Sequence, residues 1–100
     1  MDTLRQADVV FSLAGHDKGG MFAVLKTDGE YAYLVDGKCR KLSSPKKKNI
    51  KHLRLGKLGP PELAEALGGG KATDSVIRKQ LAIIRSELGM TEEGSQLVKR

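Results

Sequence analysis

The chain has 100 residues and a formal net charge of +6, from 18 Lys and Arg against 12 Asp and Glu. This length predicts one small domain with a thin core. There is no apolar run of 18 residues and no apolar segment among the charged first eight residues, so we expect neither a transmembrane helix nor a secretory signal. A single cysteine, Cys39, excludes an internal disulfide and favours a cytoplasmic protein.

Three apolar segments and two Asp-Gly pairs predict an antiparallel meander in the first half of the chain. Residues 8–13, rich in Val and Phe, form a first strand. Asp-Gly at 28–29 and 36–37 suits two-residue hairpin turns, which leaves strands at residues 21–27, 30–35 and 38–42. Pro45 and three consecutive lysines predict a loop over residues 43–49, before a short closing strand at 50–55. Apolar residues on both strand faces favour a closed barrel of about five strands.

The last part of the chain predicts a helical extension, so the expected division is a barrel over residues 1–59 and helices over 60–100. Prolines and a glutamate at 60–62 fit the start of a short helix over 62–67, which three glycines end. Thr73 or Asp74 can cap a longer helix that runs to residue 88, with Gly89 as its C-cap. Residues 90–100 are polar and expected to fray. The apolar stripe of the longer helix packs on the barrel, joins a partner or self-associates; it comprises Ile77, Leu81, Ile84 and Leu88.

The positive charge is concentrated in one segment of the chain. Residues 1–59 have a net charge of +6 and residues 60–100 a net charge of zero. Nine Lys and Arg and no acidic residue fall within residues 38–57. Such a segment is typical of proteins that bind polyanions. The alternative is a solvated surface that serves only solubility.

The glycine-rich segment AGHDKGG, residues 14–20, lies between the first two predicted strands. Glycines let a backbone turn sharply and approach a phosphate closely. Asp8-Val9-Val10, Gly15-His16-Asp17-Lys18-Gly19 and Val24 together resemble the KOW motif, and the likeness to KOW proteins extends over residues 8–55. The sequence departs from the motif at three positions where Gly, Lys and Gly are common, namely Ala7, Gly20 and Phe22.

The continuation of this segment is similar to small bacterial KOW-domain RNA-binding proteins related to a large-subunit ribosomal protein of eukaryotes and archaea. The resemblance implies an SH3-like barrel in the translation machinery that binds structured, ribosomal RNA. Basic side chains bind phosphates by releasing counterions, so mainly phosphate contact is expected. The candidate RNA-binding residues are His16, Lys18, Gly19, Arg40, Lys41, Lys46, Lys47, Lys48, Lys51 and Arg54.

Several of these residues have more than one interpretation. Alternation along a strand at 38–42 prevents its basic residues from all facing one ligand unless the barrel curves around it. His16 contacts phosphate or caps its loop, and Asp17 is expected to bond N–H groups of the loop. Tyr31 and Tyr33 stack on unpaired bases or lie in the core, and the core is the more common place for two tyrosines on a central strand.

No catalytic pattern is present in the sequence. Cys39, His16 and His52 are the only ordinary nucleophile and near-neutral bases, and a Cys–His pair formed by the fold is the enzymatic alternative. Neither metal-ligand spacing nor a phosphate-binding loop with a Lys-Ser/Thr pair occurs, so we expect no metal and no cofactor. We therefore predict an RNA-binding module and not an enzyme, with no membrane partner. The alternative is an SH3-like adaptor that docks on the ribosome or RNA polymerase through its C-terminal helix.

Overall fold

The computed structural model describes residues 4–89, and it confirms a mostly β protein with five antiparallel strands followed by two helices. The strands form one sheet in the order β4-β3-β2-β1-β5. No helix among residues 4–89 is both long and apolar enough to cross a membrane. The predicted frayed tail at 90–100 and the first three residues lie outside the described range. The elements are β1 (Val9–Ser12), β2 (Met21–Asp28), β3 (Tyr31–Val35), β4 (Lys46–Asn49), a 3-10 turn (Ile50–His52), β5 (Leu53–Lys57), α1 (Pro61–Gly68) and α2 (Asp74–Glu87).

The first hairpin forms as predicted, with its turn one residue later than the Asp-Gly pair suggests. Asp28 pairs with Tyr31, so Gly29 and Glu30 are the two central turn residues. Gly29 has φ 63°, the left-handed conformation that such turns require and that glycine adopts without steric cost.

The prediction of a strand over residues 38–42 is wrong. The Asp36 carboxylate accepts hydrogen bonds from the backbone N–H groups of Lys38 and Arg40, both at 2.8 Å. The N–H groups of Asp36 and Gly37 in turn donate to the Arg40 carbonyl. An aspartate that captures nearby N–H groups offers the backbone an alternative to a strand ladder, so these residues close into a compact loop.

The fourth strand is instead the lysine run Lys46–Asn49, within the segment predicted to be a loop. It pairs only with β3 and is therefore an edge strand, where charged side chains reach water on either side. Pro45 lies just before the strand and so removes no ladder hydrogen bond. Mutual repulsion of the lysines is consequently no barrier to strand pairing at this edge.

Both faces of the sheet are apolar, for two different reasons. One face encloses a cluster inside the curl of the sheet: Leu4, Val10, Phe22, Val24, Ala32 and Leu34. The other face packs against both helices in a second cluster: Ala7, Val9, Phe11, Met21, Ala23, Val35, Leu63, Leu67, Ile77, Leu81 and Ile84. The sheet itself is not closed, since β4 and β5 are its two edges. The second apolar face is therefore explained by the helices that cover it and not by closure of a barrel. Three of the four residues of the predicted apolar stripe are buried within this chain.

The 3-10 turn, which connects β4 to β5, forms hydrogen bonds with residues next to β3 and β1. The N–H of Ile50 donates to the carbonyl of Glu30 beside β3, and the N–H of Leu13 donates to the carbonyl of His52, both at 2.8 Å. The closing strand, β5, begins only after this turn, three residues later than predicted. Because this three-residue turn joins the two edge strands, β4 and β5, the sheet must curl so that its edges come close together.

Helix boundaries follow the predicted caps. The Thr73 hydroxyl accepts a hydrogen bond from the N–H of Val76 at 3.1 Å, as an N-cap does. Pro61 occupies the first turn of α1, where its missing N–H costs nothing. Gly89, with φ 78°, follows the last turn of α2.

Candidate nucleic-acid interface

The glycine loop, residues 13–20, closes on itself at the end of β1. The N–H of Gly19 donates to the Ser12 carbonyl at 2.8 Å, and the N–H of Ser12 donates to the Gly20 carbonyl at 3.0 Å. A tight turn within the loop is completed by the N–H of Gly20 and the Asp17 carbonyl at 2.8 Å. The side chains of His16 and Lys18 project from this frame into solvent.

Asp17 does not bond to loop N–H groups through its carboxylate as expected, but to Arg40. Both carboxylate oxygens accept from Nη2 of Arg40, at 3.1 and 3.2 Å. The Arg40 side chain is half-buried, and its Nε is buried without a hydrogen-bond partner. Arg40 therefore joins the compact loop, residues 36–42, to the glycine loop, and its charge is shared with an acid.

Lys48 brings the lysine strand against the glycine loop. Its Nζ donates to the carbonyl oxygen of Ala14 at 2.7 Å, although the two residues lie 34 positions apart. A Cβ on Gly15 would lie 3.1 Å from that Nζ, and Gly15 has φ 78°. Glycine at 15 thus provides both the backbone conformation and the room for this contact.

The three lysines of β4 divide between the two faces of the sheet. Lys46 lies opposite Leu34 and Lys48 opposite Ala32, on the face inside the curl. Lys47 lies opposite Tyr33, and its Nζ is 4.5 Å from the centre of the Tyr31 ring. Only Lys46 and Lys48 therefore share a face that leads to the glycine loop.

The remaining predicted residues are not gathered at this loop. Arg54 lies opposite Phe11, and its guanidinium carbon is 5.0 Å from the centre of the Phe11 ring. Lys51 belongs to the 3-10 turn and lines a groove of about 1000 Å³ with the two leucines of β5 and some of the first residues described. Lys41 is exposed on the compact loop. The structure thus joins the loop that carries His16, Lys18 and Gly19 to Lys48, and Lys46 lies on the same face of β4 as Lys48. We call these five residues the loop–strand surface.

Lys26 lies beside an aromatic ring, a position that no sequence pattern predicts. Its Nζ is 5.0 Å from the centre of the Tyr33 ring. Strict alternation along β2 would place Lys26 on the face of Phe22 and Val24, away from this tyrosine. The pairing register shifts between Val24 and Lys26, and a shift of this kind leaves no signal in a period-two pattern.

Among residues 4–89 the fold assembles neither the Cys–His pair nor a cluster of metal ligands. No hydrogen bond in this range joins Cys39 to His16 or His52, and all three side chains are exposed. No group of three or more His, Cys, Asp or Glu in the described range is arranged to hold a metal ion.

No family model matches the chain, and no similar curated protein was found. The likeness to the KOW motif therefore rests on the residues of this chain alone.

Proposed function

We propose that this chain is an RNA-binding module of the translation machinery that binds structured, ribosomal RNA through its phosphates. The observation that carries the proposal is the 2.7 Å hydrogen bond from Lys48 to Ala14. It joins two separate basic stretches of the sequence into the loop–strand surface.

The electrostatics of this surface favour an anionic ligand. Residues 38–57 contain no acid, and the one acid of the glycine loop, Asp17, is paired with Arg40. Lysines on such a surface bind phosphates with release of counterions, which makes affinity fall steeply with salt. Few side chains here are suited to reading base edges, so the contacts position the RNA more than they select a sequence.

Two local features support an SH3-like KOW barrel as the finer description of the fold. Ala7 has φ 79°, the only positive φ of a non-glycine residue within residues 4–89, at the position where the motif usually has glycine. Asp8, the acid of the motif, is buried and accepts from the N–H groups of Arg5 and Gly59, each at 2.9 Å. The curled sheet, whose edges come close together, fits the same description.

A charge-reversal pair tests the RNA-binding surface. Lys18→Glu combined with Lys46→Glu is expected to weaken binding of large-subunit ribosomal RNA fragments roughly tenfold or more, and to lower the salt slope by about 2. Lys48 is left in place because its reversal would also break the bond to Ala14. Filter binding over a salt series measures both quantities.

The matched control is Lys71→Glu with Lys79→Glu, which makes the same charge change at exposed residues outside the basic segment. Equal losses in the two variants would mean that only total charge matters. Unchanged affinity in the first variant would remove the loop–strand surface from the site.

The translation context has a separate test. Sucrose-gradient sedimentation of the tagged protein with cell lysate is expected to show co-migration with ribosomes or the large subunit at low salt, lost at high salt. A protein that stays at the top of the gradient in both conditions would contradict stable ribosome association while leaving RNA binding open to the filter assay.

A protein-docking adaptor is the second candidate function. This candidate would dock through the apolar stripe of α2. The case for it is weak because three residues of that stripe are already buried against the sheet, namely Ile77, Leu81 and Ile84. Ile83 is the one large apolar side chain of α2 that is exposed. Ile83→Glu should therefore abolish a cellular complex and spare RNA binding if this candidate is correct. Deletion of residues 60–100 would not separate the functions, since it would uncover the core.

A further inference from the structure

Two tyrosines and two lysines form a continuous row across three adjacent strands, which we call the tyrosine platform. Tyr33 on β3 lies directly opposite Lys26 on β2 and Lys47 on β4. Tyr31 is two residues along β3, on the same face as Tyr33. The Nζ of Lys26 is 5.0 Å from the Tyr33 ring centre, and the Nζ of Lys47 is 4.5 Å from the Tyr31 ring centre. Each ring therefore has a cation at its face.

The platform depends on the register shift in β2. Leu25 packs against the helix-side core, and the shift places the next residue, Lys26, opposite Tyr33 on the same side. Without the extra residue, Lys26 would point to the face of Ala32 and Leu34, which is buried inside the curl. The bulge thus directs a cation that would otherwise face the core toward an aromatic ring on the surface.

The platform is not a buried core feature. Tyr31 is 40% exposed, and neither tyrosine belongs to either of the two buried clusters of the described residues. The helix-side core covers β3 at Val35, at the other end of the strand. The sheet therefore extends beyond its helical cover at Tyr31 and Tyr33.

We infer that the tyrosine platform binds unpaired nucleotides of the same RNA, a conclusion that rests on the proposed function. Single-strand binders combine aromatic rings on which bases stack with cations that contact the backbone, and this platform has both. Asp28 lies opposite Tyr31 and repels phosphate on that side, so the RNA backbone follows Lys47 and the β4 edge.

The platform and the loop–strand surface meet along β4. Lys47 faces the platform, whereas Lys46 and Lys48 face the other side of the same strand. Because β4 is an edge of the sheet, a nucleotide chain can pass around it from one face to the other. The paired part of an RNA is held at the glycine loop, and an unpaired flank continues onto Tyr31 and Tyr33.

The test compares an RNA hairpin with short unpaired tails and the same hairpin without tails. The wild-type chain is expected to bind the tailed hairpin more tightly, and Tyr31→Ala to weaken that binding about 5- to 100-fold by loss of stacking on one base. Binding of the tailless hairpin should change less than about twofold. Tyr31→Phe is the matched control, since it keeps the ring and should keep the preference for tails.

Intrinsic fluorescence gives a second readout that needs no label. The chain has two tyrosines and no tryptophan, so its emission comes from Tyr31 and Tyr33 alone. Tailed RNA should quench this emission, and tailless RNA should not. Lys26→Glu leaves both tyrosines in place and should reduce the quenching, which covers the case in which Tyr31→Ala alters folding.

The outcomes separate this inference from the proposed function. Equal binding of tailed and tailless hairpins, with both lost on reversal of Lys18 and Lys46, overturns the platform and keeps the RNA-binding surface. Failure to bind either hairpin overturns both. A preference for tails that survives Tyr31→Ala and Lys26→Glu places the single-strand site elsewhere and contradicts the inference.

Discussion

Residues 38–41, KCRK, and 46–49, KKKN, each carry three basic side chains in four positions, yet the fold uses them differently. The first set lies in the compact loop, which is bonded to α2 and to the glycine loop, while Lys38 and Lys41 themselves are exposed. The N–H of Leu42 donates to the Asp74 carboxylate at 2.8 Å, Arg78 donates to the Gly37 carbonyl, and Arg40 pairs with Asp17. The second set forms β4, whose backbone pairs with β3 and whose lysines alternate between the two faces, with Lys47 exposed and Lys46 and Lys48 half-buried. Two segments of equal charge density thus take different places in the fold: the first anchors a loop against α2, and the second forms the sheet edge at which we propose that RNA binds.

The substitution with the largest expected effect on stability disrupts the packing of the compact loop against α2. Gly37 has φ 79°, and a Cβ there would run into the carbonyl oxygen of Asp74 and approach the Arg78 side chain at 2.9 Å. Gly37→Ala should lower the free energy of unfolding by about 2–4 kcal/mol, from the left-handed conformation and the overpacking together. Urea unfolding measures the loss.

Gly29→Ala is the control for this substitution. Gly29 also has a positive φ, 63°, but nothing lies within 4 Å of its added Cβ. It should cost only about 1–2 kcal/mol for the conformation. Equal losses at the two glycines would mean that the compact loop is not pressed against α2.

The next largest loss of stability is expected from removing the hydrogen bond between α2 and the compact loop. Asp74→Ala leaves the N–H of Leu42 without its acceptor and removes a negative charge from the first turn of α2, for an expected loss of about 1–2 kcal/mol. Thermal unfolding compares this variant with Ser75→Ala, a change at the neighbouring exposed residue. A cost no larger than that of the control would contradict the anchoring role of Asp74.

A smaller effect concerns the pair between Asp17 and Arg40. Asp17→Asn and Arg40→Gln should each cost about 1 kcal/mol, and the double variant little more than either, because the two side chains act on each other. The half-exposed pair limits the size of the effect. A double-mutant cycle from urea unfolding gives the coupling.

The RNA affinities of the same variants sharpen the comparison. If Arg40 contacted phosphate, Asp17→Asn would release it and tighten binding while Arg40→Gln weakened it. We expect both variants to weaken binding alike, since each loosens the glycine loop. Opposite signs would return Arg40 to the binding surface.

The smallest expected effect comes from comparing two lysines of each segment at equal net charge. Lys46→Ala with Lys47→Ala should reduce affinity for ribosomal RNA fragments roughly three- to fivefold more than Lys38→Ala with Lys41→Ala. Filter binding at one fixed salt concentration measures the ratio. Equal losses would show that the binding edge is not confined to β4.

Much of the framework follows from local sequence signals. The strong strand formers of β1 and β2, the Asp-Gly hairpin and the Thr73 cap each depend on neighbouring residues, and each element lies within a few residues of its predicted place. The second Asp-Gly pair failed because the Asp36 carboxylate captured N–H groups that a strand would have offered to a ladder. An Asp-Gly dipeptide therefore predicts a hairpin only where the aspartate carboxylate does not accept hydrogen bonds from the N–H groups of the following residues.

The candidate site was less accessible to prediction. The sequence predicts Lys18 and His16 as site residues because their glycine-rich loop is recognisable from neighbouring residues. It does not predict that Arg40 is paired with an acid, because Asp17 lies 23 positions away. The contact between Lys48 and Ala14 and the position of Lys26 at Tyr33 depend on the curl of the sheet and on a register shift, and neither has a sequence period.

The sequence by itself determined an excess of positive charge in one segment, a glycine loop between two strands, and an amphipathic helix that needed an apolar surface. These are properties of residues close together along the chain, where propensity and periodicity act. The tertiary structure decided which cations are shared with acids, which face each lysine of β4 takes, and that the helices cover one side of an open sheet. These are contacts between distant residues, and their geometry is set by pairing register and packing, which no local pattern encodes.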